Sequence, residues 1–297
     1  SEVFAVADCV SLMKNGKLVS TNNIHEIEKK DIVFVMTGES PEETESVKGL
    51  LPSNGERLVS CESLTLKETF HDITFDLHSG EVLGITGLLG CGATEIAKSL
   101  FSVCRPDSGK IIVKGKEVKN LTPVKAVDLG ISYLPEDRKI SGLNLKTTVK
   151  NNLSLPILKK KLSRYGFINF AKERLLTNSM IEQLSIKVTN LEQLVGTLSG
   201  GNQQKVVLGK WLLYDADIFV MCEPTRGIDI GVKIEIHKII RELASSGAAV
   251  LVVSSEVEEV MSLSDRMLLL YEGRIQEEVK HGQKSYNEIM NIIYGVS

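Results

Sequence analysis

No run of the chain approaches the roughly 20 consecutive apolar residues that a membrane span needs; AAVLVV (248–253) has instead the length of a buried strand. Charge of one sign is not in excess either. The 35 Lys and Arg residues against 38 Asp and Glu leave a formal net charge of −3, so composition makes no electrostatic case for a nucleic-acid partner or a membrane surface. Cys9, Cys61, Cys91, Cys104 and Cys222 are odd in number and contain no C-x-x-C pair, which favours reduced thiols over disulfides or zinc. His25, His71, His78, His237 and His281 show no ligand-like grouping and are expected at the surface. What is present is ordinary globular material, 297 residues with room for one large domain or two smaller ones.

One further absence sits inside a motif. In GITGLLGCGATEIAKSL (84–100) the glycines Gly87, Gly90 and Gly92 fall where a phosphate-cradling loop wants them, but the pattern calls for lysine at position 93 and the chain has Ala93. GEVLGITG (80–87) reads as a buried strand entering the loop, and TEIAKSLF (94–101) as the helix leaving it. Such a loop works mostly through backbone N–H groups and the positive end of a helix dipole. The missing ammonium is the part that clamps terminal phosphates. Lys98, about one turn further on, is a poor stand-in.

Two later segments belong with this loop. LSGGNQQK (198–205) places an N-cap type, Ser199, and paired glycines at the start of a helical run. DIFVMCEPTRGIDIG (217–231) reads as an apolar strand ending in Cys222-Glu223, broken by Pro224. KIEIHKIIRELASS (233–246) puts Ile236, Ile239, Ile240 and Leu243 on one helical face, and AAVLVVSSE (248–256) is another buried strand. These βαβ steps predict a mostly parallel sheet with active groups at strand C-termini.

The chain also resembles itself. Residues 7–20 (ADCVSLMKNGKLVS) align without gaps to 264–277 (SDRMLLLYEGRIQE), with Asp8 on Asp265, Leu12 on Leu269 and Gly16 on Gly273. Gly38 meets Gly295 at the same offset. Both segments read as hairpins, the first around Asn15-Gly16. The expected organisation is therefore residues 1–40 as the tail of a preceding copy of the domain, 41–57 as a polar linker, and 58–297 as a complete copy.

Together, the loop, LSGGNQQ and the strand-Glu-Pro-Thr segment resemble the nucleotide-binding domain of an ABC transporter. LSGGNQQK, PEDRK…GL (135–143) and EPTRGIDIG narrow the resemblance to the second ATPase domain of the tandem monosaccharide importers of ribose, galactose, xylose and arabinose type. The resemblance implies an α/β P-loop fold with a mostly parallel core sheet, an antiparallel β part and a helical subdomain at about 145–213. It implies ATP and Mg²⁺ as ligands, with Gly87, Gly90, Cys91, Gly92, Ala93, Thr94 and Glu95 around the domain's own nucleotide, and Thr94 and Glu136 as doubtful metal contacts. The signature residues Ser199, Gly200, Gly201, Asn202 and Gln203 would face ATP held by a partner domain. Implied partners are the preceding ATPase domain of the same polypeptide, transmembrane permease subunits and, indirectly, a sugar-binding protein, on the cytoplasmic face of the membrane; no nucleic acid is implied.

Against a competent site of that family, four positions depart. Ala93 replaces the loop lysine, Glu136 the Mg²⁺-linked glutamine, Cys222 the carboxylate ending the strand, and Ser255 the histidine that senses the terminal phosphate. Glu223, which would orient the attacking water, remains. Losing one preorganised charge in such a site costs roughly 2.7–4 kcal/mol of barrier, so the domain's own site is expected to hydrolyse slowly at best while its signature serves the partner. A non-hydrolysing regulatory module and an importer of nucleosides or signalling sugars stay open as alternatives. Smaller readings also stay open: Phe70 as an adenine-stacking ring or a core residue, Asp137 and Arg138 as a coupling loop or a local ion pair, and LKKKLSR (158–164) as a permease contact or a solvated basic face. Trp211 is expected in the core.

Overall fold

The computed structural model describes residues 6–14, 17–27 and 55–296; the Asn15-Gly16 turn, Gly38 and most of the 41–57 linker lie outside the described residues. The chain opens on an antiparallel hairpin, β1 (Cys9–Lys14) and β2 (Lys17–Asn23). Next, β3 (Arg57–Leu66) and β4 (Phe70–His78) pair antiparallel before β5 (Val82–Gly87) runs into the glycine loop and helix α1 (Ala93–Leu100). Then come β6 (Ser108–Val113), β7 (Lys116–Glu117), α2 (Pro123–Asp128) and β8 (Ile131–Leu134).

The central third carries α3 (Val149–Ser154), a short ribbon of β9 (Ser163–Arg164) and β10 (Phe167–Ile168), α4 (Phe170–Gln183) and α5 (Gly200–Tyr214). The three helices pack on one another, within the stretch expected to be helical. The ribbon was not expected; Tyr165 and Gly166 both take positive φ (54° and 84°), which is what a two-residue hairpin turn requires. The chain finishes with β11 (Ile218–Cys222), α6 (Ile230–Ser245), β12 (Ala249–Val253), α7 (Val257–Leu263), β13 (Arg266–Tyr271), β14 (Arg274–Lys280) and α8 (Tyr286–Ile293).

The main sheet has six strands in the order β14-β13-β5-β12-β11-β8, all parallel except the edge strand β14. Every residue of β5, β11 and β12 is buried. That is why they read as unbroken apolar runs: a parallel strand covered on both faces has no solvent side to alternate with. The second sheet, β4-β3-β6-β7, is antiparallel. Helix α6 buries Ile236, Ile240 and Ala244, with Ile239 and Leu243 packed against the core at its edge, matching the expected apolar stripe.

The two similar hairpins have the same shape. Under the gapless alignment β1 falls on β13 residue for residue, and β2 begins where β14 begins. Each has a register break at the same aligned place, between Leu12 and Met13 in one and between Leu269 and Leu270 in the other.

Candidate nucleotide-binding site

The loop after β5 lines an open depression formed by residues 87–95, faced by Glu223, Val253, Ser254 and Ser255. The parallel sheet makes this possible: β5, β12 and β11 are neighbours, so their C-terminal ends bring together residues up to 168 positions apart, from Gly87 to Ser255. Gly90 and Gly92 sit at φ +86° and +91°, in the left-handed region that favours glycine. Gly92 occupies the N-cap of α1 and supplies no side-chain acceptor, so first-turn N–H groups remain for an anion, with the helix dipole behind them. The loop fits the phosphates of a nucleotide.

Its electrostatics lack the usual cation. Ala93 is buried and apolar. Lys98 does not compensate, because its Nζ lies 3.2 Å from Glu136 Oε1 and 3.4 Å from Glu95 Oε1. Burial opposes the Lys98 charge, but the hydrogen bond and charge of Glu136, then those of Glu95, outweigh it and hold its pKa above the ordinary lysine value. Glu136 is thus engaged by an ammonium and does not line the depression.

Cys222 ends β11 fully buried. Burial pushes its thiol up to about 12, only partly relieved by a hydrogen bond from the Tyr133 hydroxyl, so it stands as a neutral thiol where a carboxylate was expected. A neutral thiol is a poor ligand for Mg²⁺, which prefers oxygen. Among the described residues no group of three or more His, Cys, Asp or Glu side chains is arranged to hold a metal ion. These residues do not fit a dedicated Mg²⁺ centre.

Glu223 has φ 48°, a left-handed conformation that costs of order 1–3 kcal/mol for such a residue and recurs at functional sites. The backbone holds it there: its N–H donates to Val253 O at 2.7 Å, and its Oε1 accepts from the Ser255 N–H at 2.8 Å. The carboxylate is therefore fixed against the strand end that carries Ser255.

Behind this wall lies a network that sequence reasoning missed. The buried carboxylate of Glu259 accepts from Ser254 Oγ (2.6 Å), from Thr225 Oγ1 and from His237 Nε2 (2.7 Å). Burial alone would raise its pKa; the hydrogen bonds from His237, Ser254 and Thr225, with the nearby Lys233, hold it down at about 2. His237, expected at the surface, is instead only 14% exposed at its side chain and belongs to this network. Nothing in EVEEV (256–260) marks one glutamate as buried.

The signature forms a separate feature. Ser199 is the N-cap of α5, exposed, and its side chain makes no capping bond. Its Oγ accepts from Asn202 Nδ2 at 2.9 Å, and Asn202 Oδ1 in turn accepts from Lys187 N at 2.7 Å. Gly201 packs so closely on Val232 that a Cβ would lie 2.8 Å from Cγ2. None of Ser199, Gly200, Gly201, Asn202 or Gln203 lines the loop depression. Gln203, expected among the ligand-facing residues, turns inward and spends its amide on the Val195 and Leu198 carbonyls.

Two readings left open by the sequence are narrowed. Phe70 is wholly buried, so it offers no face to an adenine ring. Asp137 and Arg138 do not act as a local pair: Asp137 accepts from the Lys139 and Ile140 N–H groups, while Arg138 reaches the Arg226 and Gly227 carbonyls. Trp211 lies in the core as expected, its indole N–H donating to Tyr133 O.

Sheet order, glycine loop and helix N-terminus together define a P-loop nucleotide-binding domain of the α/β type. The sequence model of the family described as "ABC transporter" matches residues 70–226, just over half of the chain, and the chain belongs to that family. It is 40% identical over 290 residues to the ribose import ATP-binding protein RbsA of Caldanaerobacter subterraneus subsp. tengcongensis, covering 98% of this chain and 58% of that protein. To the RbsA of Bacillus subtilis it is 37% identical, covering 99% of this chain and 59% of that protein. The chain thus spans a little under three-fifths of the length of these curated relatives. Among solved structures, a nucleotide-free ATP-binding cassette from an ABC transporter superposes with a TM-score of 0.65 at 18% identity, covering 81% of this chain and 96% of that one; that likeness concerns the fold.

Proposed function

We propose that this chain is the second nucleotide-binding domain of a tandem ATP-binding subunit that energises carbohydrate import. Its main task on this reading is to present its signature to ATP held by the preceding domain. The observation that carries the proposal is the contrast between its two ligand-facing features. The loop depression is backed by a buried alanine, a lysine tied to carboxylates and a neutral buried thiol. The signature helix begins with an exposed serine and first-turn N–H groups that no side chain of its N-cap occupies.

The matched hairpins support a tandem arrangement, with residues 1–40 as the tail of the preceding domain and 58–297 as the second. So does the partial coverage of relatives named as ribose import ATP-binding proteins. In the closed pair, the Ser199 hydroxyl, the Gly201 N–H and the dipole of α5 complete the cage around the partner's terminal phosphate, where developing charge is stabilised. The own loop holds a second nucleotide through backbone N–H groups alone and turns it over slowly, with Glu223 in the water-orienting place. The assembly works against transmembrane permease subunits at the cytoplasmic face of the membrane, fed by a sugar-binding protein.

The test is ATP turnover in three samples: this chain, a preceding domain with an intact loop lysine, and the two joined. The expected result is a nearly silent chain that accelerates its partner, with the acceleration abolished by Ser199→Arg. Vigorous hydrolysis by this chain alone would overturn the reading. A chain that binds ATP yet neither hydrolyses it nor stimulates a partner would instead be a regulatory module.

A further inference from the structure

Arg138 lies in the tight turn that follows β8 and Glu136. The turn is pinned from within by the Asp137 carboxylate, which accepts from Lys139 N at 2.8 Å and Ile140 N at 3.1 Å. The Arg138 guanidinium leaves the turn and donates through Nη1 to Arg226 O at 3.1 Å and through Nη2 to Gly227 O at 3.5 Å. A planar fork spanning two consecutive carbonyls is something a lysine cannot reproduce. The same Nη2 occupies the space beside Gly200, the first glycine of the signature: a Cβ there would come within 2.5 Å of it.

We infer that Arg138 is a positioning residue that latches the first turn of the signature helix to the Glu136 turn and to the 226–227 loop, and that Gly200 is a glycine because it leaves room for this guanidinium. A cation against the positive end of a helix dipole is unfavourable by itself. Two carbonyls hold it there, and its charge then adds to the field that an anion meets at Ser199. A methyl at position 200 acts by evicting the guanidinium, since a flexible side-chain end yields before backbone does. Once the guanidinium is gone, the remaining close neighbour is Gly227 O at 3.3 Å, which a small shift accommodates.

This inference rests on the donated-signature reading for its functional meaning, but its structural core can be tested in this chain alone. Amide hydrogen exchange at Gln203, whose N–H closes the first turn on Ser199 O at 2.9 Å, is measured for the wild type, Arg138→Ala, Gly200→Ala and the double variant. Each single change is expected to speed exchange by about tenfold, the size of one charge-assisted hydrogen bond. The double variant is expected to exchange no faster than Arg138→Ala. Additive effects, or a Gly200→Ala protein as protected as wild type, overturn the latch. Where Arg138→Ala lowers the melting temperature, Arg138→Met takes its place in the cycle and keeps the aliphatic stem.

In the joined pair, Arg138→Ala is expected to lower kcat for ATP about tenfold with KM within about twofold, the mark of an interaction made in the transition state. It should also rescue most of any further loss caused by Gly200→Ala. A change confined to KM overturns the positioning role. If the wild-type chain fails to stimulate its partner, the donated-signature reading falls, while the exchange cycle still decides the latch.

Discussion

Lys98 holds Glu136: the ammonium lies 3.2 Å from a carboxylate 38 positions along the chain, and Glu95 shares it at 3.4 Å. The lysine nearest to the phosphate loop is therefore committed to two carboxylates.

From this follows the expected behaviour of Ala93→Lys. A lysine at position 93 has no carboxylate already assigned to it and can reach the depression that the loop lines. ATP affinity should rise at least about tenfold, the worth of one charge-assisted contact, in a titration with a fluorescent nucleotide. Turnover, read by phosphate release, should stay within about tenfold of wild type, because Cys222 and Ser255 are unchanged and groups that act as a unit in one site are not additive, so one of them alone recovers little. A hundredfold gain in turnover would show that the lysine alone was limiting.

Cys222 gives a chemical test. A thiol pushed up to about 12 by burial carries almost no thiolate at pH 8, and the thiolate is the reactive form. Iodoacetamide should label exposed Cys9 readily and leave Cys222 intact in the folded chain, as read by peptide mass mapping. Cys222→Asp should lower stability by several kcal/mol, because the new carboxylate would be buried beside Glu136 and Glu223, and the cation felt there, Lys98, is already held by Glu95 and Glu136. Adding Mg²⁺ with ATP should restore part of that loss in a thermal melt, whereas wild type should respond little to Mg²⁺.

Much of this architecture was legible before any coordinates. Strands β5, β11 and β12 announce themselves as apolar runs because both faces are covered, and the loop announces itself through glycines at fixed spacing. That the signature would stand apart from the loop is implied by the resemblance to ABC domains and not by the spacing of the two motifs. What could not be read is the partnering of polar side chains across elements. Glu259 looks like any surface glutamate of a short helix, yet it meets Thr225, 34 positions away, in the core. Gln203 sits in a motif expected to face a ligand but takes the inward side of its helix. Phe70 is the first residue of β4, and only the packing of that strand on the core decides that its ring is buried. Such contacts depend on tertiary approach, which carries no local periodicity.

Glu259 also sets a pH dependence. Its folded pKa of about 2 lies below the ordinary glutamate value of 4.5, so its stabilisation is fully present above about 4.5 and is lost as pH falls through the folded value. The depression is worth roughly 3 kcal/mol by linkage. Urea midpoints should therefore decline between pH 4.5 and the acid limit of folding. Glu259→Gln should be destabilised at pH 7 and show a shallower decline over that acid window. An unchanged acid slope in Glu259→Gln would mean that other carboxylates carry the dependence.

Ser199 and Gln203 stand one helical turn apart in the same motif and should fail in opposite ways. Gln203 is buried, and both of its hydrogen bonds go to backbone carbonyls of the preceding turn, Val195 and Leu198. Gln203→Ala leaves those carbonyls short of a donor and should cost about 1–3 kcal/mol of stability, visible in the melting temperature. In the pair at a temperature where the variant is folded, it should keep most of its stimulation of partner ATPase. Ser199 is exposed and caps nothing, so Ser199→Arg should melt within a degree or two of wild type, as surface substitutions usually do. On the donated-signature reading, however, its arginine would stand where a partner-bound phosphate approaches the helix start, and stimulation should disappear. If Ser199→Arg keeps full stimulation while Gln203→Ala loses it, the face of α5 presented to the partner is the opposite one, and the donated-signature geometry fails.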